Sequence, residues 1–430
     1  MLPINLWQSQ ELAYCSNVHP GTELTQVLAN IQNWFNPVLK KRQQNSMASG
    51  LWLASPVAKQ LVNDNDALQN FVNVITQNQL ALTSLNGFPY GNFHQDIVKQ
   101  AVYLPTWADK KRLVYTQNLA NILSQTICKK TATQIQLQGE TRYLGAISTL
   151  PLAYAKEWTS QLHQIAIEHL IELAQYLKQL EQNTQVRIQI GLEMEPDCVF
   201  ESSQQLIDFF KQDLLPAAKN KGLAAQDILN YIGCCFDTCH QAVMHEDIQL
   251  SLKKIREAGI QICKIQISNA IHATLKNKHN IEALCQLLND KKFLHQCKIN
   301  QSNVNNKTNL IHIADLNSAE LNQVLAQKQL QGEPEFSCTV HYHVPIHLSQ
   351  IKLSEAQKIN TTQTGILACL DYLQSQADFK PYLEIETYTW LQYLTSQAQD
   401  SFDLTQGLSE EFFWLEAQLN KRNLLANKIT

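Results

Sequence analysis

The chain has 430 residues, enough for one large domain or two ordinary ones with a sizeable buried core. With 44% hydrophobic and 17% charged residues, 13 glycines and 12 prolines, it is neither disordered nor collagen-like. A net charge of −4 lacks the basic excess that a phosphate backbone requires, which argues against nucleic acid as a partner.

Eight short apolar runs alternate with helical patterns, the signature of parallel βαβ units. In chain order the predicted strands are 12–17, 51–54, 80–85, 143–149, 187–195, 232–237, 260–268 and 382–388. Helices are predicted over 22–39, 66–77, 158–181, 203–220 and 245–258. The third of these carries Leu162, Ile165, Ala166, Leu170, Leu173, Leu177 and Leu180 near the 3.6-residue period of a helix laid on a sheet. Eight such repeats predict an α/β fold, a single (β/α)₈ TIM barrel spanning residues 1–430. Residues 290–348 break the alternation and read as an antiparallel β insertion between the seventh and eighth barrel strands. A competing parse makes 339–346 a barrel strand. The Gln- and Asn-rich stretches 134–138 and 300–309 read as polar surface and loop.

No run approaches the roughly 20 apolar residues of a membrane helix. Met1-Leu2-Pro3-Ile4-Asn5-Leu6 has neither the basic nor the apolar part of a secretory signal, so a cytoplasmic protein without a membrane span is expected. Eleven cysteines without framework spacing read as reduced core thiols.

The strand ends carry the chemistry, because in a barrel they converge on one mouth. The fifth run ends Gly191-Leu192-Glu193-Met194-Glu195-Pro196, the sixth Cys235-Phe236-Asp237-Thr238-Cys239-His240, the seventh Gln266-Ile267-Ser268 and the eighth Leu383-Glu384-Ile385-Glu386. Glu195, Asp237, Gln266 and Glu386 form a candidate ligand set for Mg²⁺, Mn²⁺ or Zn²⁺, since a cation offsets the repulsion of clustered carboxylates. Each carboxylate alone could instead cap a helix or sit in solvent. Strand alternation places Glu193, Lys264 and Glu384 one layer below Glu195, Gln266 and Glu386, and predicts that Lys264 is paired with glutamate inside the barrel. His19, Asn86, Tyr90 and His94 follow the first and third strands and are candidates for substrate contact, as are His240 and His343. His341-Tyr342-His343 puts two imidazoles on one face of a strand, a weaker metal signal, or part of that strand's ordinary packing. No Walker A loop, dinucleotide fingerprint or nucleophile elbow is present.

The Glu195-Pro196 strand end, Asp237-Thr238-Cys239-His240 and Leu383-Glu384-Ile385-Glu386 resemble the metal-binding strands of the xylose isomerase-like TIM barrels, the sugar-phosphate isomerase/epimerase superfamily. The resemblance implies a divalent metal on Glu195, Asp237 and Glu386 with His240 near substrate; Gln266 departs from it, standing where that family offers histidine. Longer strings (14–21, 86–94, 147–152, 340–346 and 384–390) resemble the EboE-type metabolite traffic proteins. That resemblance implies a role in moving a small metabolite, in a gene cluster that includes a membrane UbiA-like prenyltransferase as a possible partner. The expected activity is metal-dependent isomerisation or epimerisation of a small hydroxylated or carbonyl metabolite, with Glu195 and Glu386 as proton acceptor and donor. The alternative is a non-catalytic metabolite-binding or carrier barrel whose metal site has degraded. A metal-dependent nuclease on the same fold would need a basic groove that the composition lacks.

Overall fold

The computed structural model describes residues 6–92, 94–137, 139–301, 309–352, 358–390 and 403–426. Eight parallel strands form the barrel: β1 (Ala13–Tyr14), β2 (Met47–Trp52), β3 (Leu80–Asn86), β5 (Glu140–Thr149), β6 (Val186–Glu193), β7 (Ile232–Asp237), β8 (Ile262–Ile267) and β15 (Tyr382–Ile385). They pair in the order β1-β15-β8-β7-β6-β5-β3-β2, and a parallel bridge between Cys15 and Gly50 joins the two ends. All eight predicted strands are therefore barrel strands. The stretch 134–137, read from sequence as surface filler, is instead the exposed strand β4 (Gln134–Leu137), which turns back to pair antiparallel with the start of β5. Gln138 and residues 302–308 of the Asn-rich run lie outside the described residues.

Helices cover the barrel as amphipathic periodicity dictates. The longest, Ser160–Thr184, starts on a Thr159 side-chain cap and buries Ala166, Leu170, Leu173 and Leu177. The predicted helices at 22–39 and 203–220 are each continuous but contain a π-turn, at Ile31–Phe35 and Phe209–Leu214. Among the described residues no helix is long and apolar enough to cross a membrane. All eleven cysteines are free, and nine are buried.

Between β8 and β15 the chain builds a second, antiparallel sheet. Its strands are β9 (Asn269–Leu275), β10 (Cys297–Gln301), β11 (Asn309–Ile313), β12 (Phe336–Val344), β13 (Gln350–Lys352) and β14 (Lys358–Thr361), ordered β11-β10-β12-β9-β14-β13. The sheet thus takes in more chain than 290–348, because β9 leaves the barrel one residue after β8 ends. Residues 339–344 belong to it rather than to the barrel. It has an apolar core of its own, with Ile271, Leu284, Ile299, Leu321 and Tyr342. Lys298 of β10 fastens it to the barrel by ion pairs to Asp197 (2.7 Å) and Glu201 (2.9 Å) in the loop after β6.

Inside the barrel, small residues on three strands leave room for two large charged ones. Lys264 and Glu384 are fully buried and form an ion pair at 2.8 Å. Ser84 donates to Glu384 (3.0 Å), and the Lys264 ammonium donates to Ser148 (3.3 Å). A Cβ on Gly50 would stand 2.0 Å from the Glu384 carboxyl carbon, so any larger residue there must displace the paired carboxylate. The pairing anticipated from strand parity holds for Lys264 and Glu384; Glu193 acts on Lys264 through charge alone among the described contacts.

Lys264→Met should lower the unfolding free energy by about 3–5 kcal/mol by stranding a buried carboxylate, and the double variant with Glu384→Gln should recover most of it. A urea-denaturation double-mutant cycle measures this, and strictly additive losses would refute the coupling. Gly50→Ala should cost about 1–3 kcal/mol through overpacking, whereas Gly91→Ala, with open space at its Cβ, should stay within about 0.5 kcal/mol.

Candidate metal centre

The C-terminal ends of β6, β7 and β15 bring Glu193, Asp237 and Glu386 together, with ligand oxygens within 4.8 Å of one another. All three are buried. Glu193 is the last ladder residue of β6. Asp237 ends β7 and caps the next helix, Thr238–Val243: its Oδ1 accepts from the His240 amide (3.0 Å) and from the Ser268 hydroxyl (2.5 Å). It is a helix cap and still leaves Oδ2 without a hydrogen-bond partner, His240 Nε2 standing 3.9 Å away. Glu386 follows β15, and its Oε1 accepts from the side-chain amides of Asn17 (2.7 Å) and Asn86 (3.1 Å). Glu193 Oε2 also lacks a partner, as do both polar atoms of the Gln266 amide.

Glu195 lies apart from this trio. Its Oε1 accepts from the Tyr103 hydroxyl (2.8 Å), its Oε2 is unpartnered, and it groups with His240 and His341. The carboxylate trio thus takes Glu193 at the place that sequence reading gave to Glu195. The reason is local: β6 pairing stops at Glu193, and Asp197, with φ 68°, turns the chain away two residues after Glu195.

Of the other candidates, Asn86, His240 and His343 line the central pocket with Glu193, Glu195 and Glu386. His19 does not. Its ring stacks on Trp34 (5.1 Å between centroids) and Tyr14 lies at hydrogen-bond distance (3.1 Å), so it belongs to the packing outside the mouth. Tyr90 packs edge-on against Tyr115, and His94 bonds the Asn17 carbonyl (2.7 Å); neither lines the central pocket. Residues that sequence reading did not select also line it: Asn17, Tyr103, Gln296 and Tyr388. Asn17 was visible only as the end of the first predicted strand; Tyr103 and Gln296 come from a short 3-10 helix, Lys99–Tyr103, and from the insertion with no local signal.

Electrostatics make the cluster unstable without compensation. Burial and the neighbouring carboxylates Glu386, Asp237 and Glu195 push Glu193 well above the usual range, and burial with Asp237 does the same to Glu386. Burial works against the Asp237 charge as well, but His240, His343 and the donors from Ser268 and the His240 amide outweigh it and hold this carboxyl low. Burial lifts Glu195 to about 8. Lys264, the cation below them, is already paired with Glu384. Such a set must hold protons or a cation, and orphaned oxygens on Glu193 and Asp237 fit a hard divalent ion; Gln266, whose backbone pairs in register with Asp237, does not line the pocket.

No known family profile and no curated protein matches this sequence. Among solved structures, the chain is similar to a D-tagatose 3-epimerase-like protein at 11% identity and a TM-score of 0.44, covering 95% of this chain and 98% of that one. It is similar to the IOLI protein with a bound zinc atom at 9% identity and 0.42, covering 96% and 97%.

In the metal-free protein the folded state keeps a proton on Glu195 that the unfolded chain releases above about 4.5. Its contribution to stability is therefore full below pH 4.5 and is lost as pH rises toward about 8. Urea unfolding in chelator at pH 5 and pH 8 should show a loss for wild type that is smaller in Glu195→Gln; equal losses would count against the assignment.

Proposed function

We propose that this protein is a divalent-metal-dependent isomerase or epimerase of the xylose isomerase-like kind, acting on a small hydroxylated or carbonyl-bearing metabolite. The observation that carries the reading is the buried trio Glu193, Asp237 and Glu386, with ligand oxygens within 4.8 Å and two of them unpartnered. Bound there, a divalent cation supplies polarisation of a carbonyl or a pair of hydroxyls. Asn17 and Asn86 hold Glu386 in place, and Ser268 does the same for Asp237. Glu195 stands outside the trio, and its carboxyl, lifted to about 8, is poised to accept and return a proton near neutrality. The Tyr103 hydroxyl orients it. Phe88, Val98, Phe293 and Leu294 form an apolar wall that keeps water from the proton.

A metabolite-binding barrel without catalysis is the second reading, favoured by Gln266, an amide on the seventh barrel strand where imidazole would give a metal stronger support. The strings 14–21, 86–94, 147–152, 340–346 and 384–390, which resemble EboE-type proteins, are the ground for a finer proposal: a cytoplasmic member of a metabolite traffic system whose partner is a UbiA-like membrane prenyltransferase.

Elemental analysis should find bound metal in wild type, with the carboxylate-site ion lost in Asp237→Ala and in Glu193→Gln while circular dichroism stays unchanged. Solvent deuterium should enter the carbon of a turned-over substrate, and Glu195→Gln should slow that exchange at least 100-fold. Wild type that takes up no Mn²⁺, Mg²⁺ or Zn²⁺ would leave the binding-barrel reading standing instead.

A further inference from the structure

The central pocket is polar only in part. Beside Glu193, Glu195 and Glu386 it is lined by Phe88, Val98, Val102, Phe293 and Leu294, all of them buried or half-buried apolar side chains. A sugar, with a hydroxyl on nearly every carbon, would leave several hydroxyls against that wall without hydrogen-bond partners.

Charge narrows the substrate further. Among the described residues, the one lysine or arginine that lines the pocket is Lys99, and it is already paired with Asp315. Lys264 below the mouth is bound by Glu384, and Lys298 by Asp197 and Glu201. A phosphate group needs cations free to pair with it, whereas this pocket presents three glutamates.

The apolar wall continues outward through aromatic rings. Phe88 meets Tyr103 edge-on (5.9 Å between centroids), and Tyr103 meets Tyr154 (5.3 Å). Tyr103 lines both the central pocket and a second, larger cavity of about 510 Å³, whose bulkier apolar side chains are Leu104, Tyr154, Trp158 and Leu162. Leu104 is 60% exposed, and Ile97, just before the short helix Lys99–Tyr103, is 61% exposed. Two large aliphatic side chains left in water on either side of one short helix, with an apolar cavity beside it, mark a surface that a ligand covers. The Tyr103 hydroxyl donates to Glu195 (2.8 Å), so a single side chain joins the proton-transferring carboxylate to the outer cavity.

We propose that the substrate has two parts: a hydroxy-carbonyl head held at the strand-end carboxylates, and an uncharged apolar tail that runs past Phe88 and Tyr103 into the cavity beside Trp158. A phosphorylated sugar is excluded. The proposal rests on the metal-dependent reading of the mouth and names the substrate class for it.

Hydroxamates test this, because they chelate a divalent ion through two oxygens as a hydroxy-carbonyl head would. Calorimetric titration of the full chain loaded with Mn²⁺ compares acetohydroxamate, phenylbutyrohydroxamate and phosphoglycolohydroxamate. The phenyl-tailed compound should bind at least about 30-fold more tightly than acetohydroxamate, and the phosphorylated one no more tightly than acetohydroxamate. Trp158→Ala and Leu104→Asp should each weaken the phenyl-tailed compound about 5–10-fold and leave acetohydroxamate unchanged. Leu104 is exposed, so its replacement spares the fold. In chelator, the uncharged dye phenylnaphthylamine reads the cavity without metal: its fluorescence should rise with wild type and much less with either variant. Mn²⁺-dependent binding that is equal for all three tails, or strongest for the phosphorylated one, would overturn the tail and leave the metal reading intact. Dye binding lost in the variants, with no hydroxamate favoured by Mn²⁺, would overturn the metal reading and support the tail site.

Discussion

The constraint on which the site depends is the buried ion pair of Lys264 and Glu384. A charge inside a barrel core is tolerable only when it is paired and hydrogen-bonded, and here Ser84 and Ser148 complete the set while Gly50 leaves the space. Because side chains alternate along a strand, fixing Glu384 and Lys264 inward also fixes Glu386 and Gln266 inward two residues on. The pair is thus the foundation layer on which the ligand layer stands. It also neutralises the one lysine below the mouth, so the carboxylates above it gain little relief from it.

The mouth has two chemically different sides. The barrel contributes carboxylates on strand ends, the usual way this architecture builds a site. The antiparallel sheet contributes imidazoles from β12, where His341 and His343 line the pocket while Tyr342 between them packs into the sheet's own core, as alternation along a strand dictates. Lys298, joined to Asp197 and Glu201, ties the sheet to the loop that follows Glu195. Both sides are therefore positioned against the same short segment of chain.

Much of this was legible in the sequence. The eight strands were, because fully buried parallel strands are short continuous apolar runs. Asp237 and His240 were, because a strand-to-helix junction fixes both at once. Glu193 against Glu195 was not: both share parity, and only the end of the pairing after Glu193 with the turn at Asp197 separates them. His19, Tyr90 and His94 follow strand ends but point into local aromatic or loop packing, and a position after a strand does not specify a direction. Tyr103 and Gln296 reach the pocket from segments whose placement depends on tertiary contacts alone.

The C-terminal helix, Leu404–Lys421, carries Glu411 fully buried, and its carboxylate accepts from the Thr387 hydroxyl (2.6 Å), the Trp390 indole (2.7 Å) and the Ile346 amide (3.0 Å). Thr387 adjoins Glu386, and Ile346 lies just beyond β12. One side chain of this helix thus grips the segment after β15 that carries Glu386 and the segment just beyond β12. Cutting the chain before residue 404 would leave every mouth residue in the product and still disassemble the mouth. In this fold, a helix that contributes no residue to the mouth is the part that locks it.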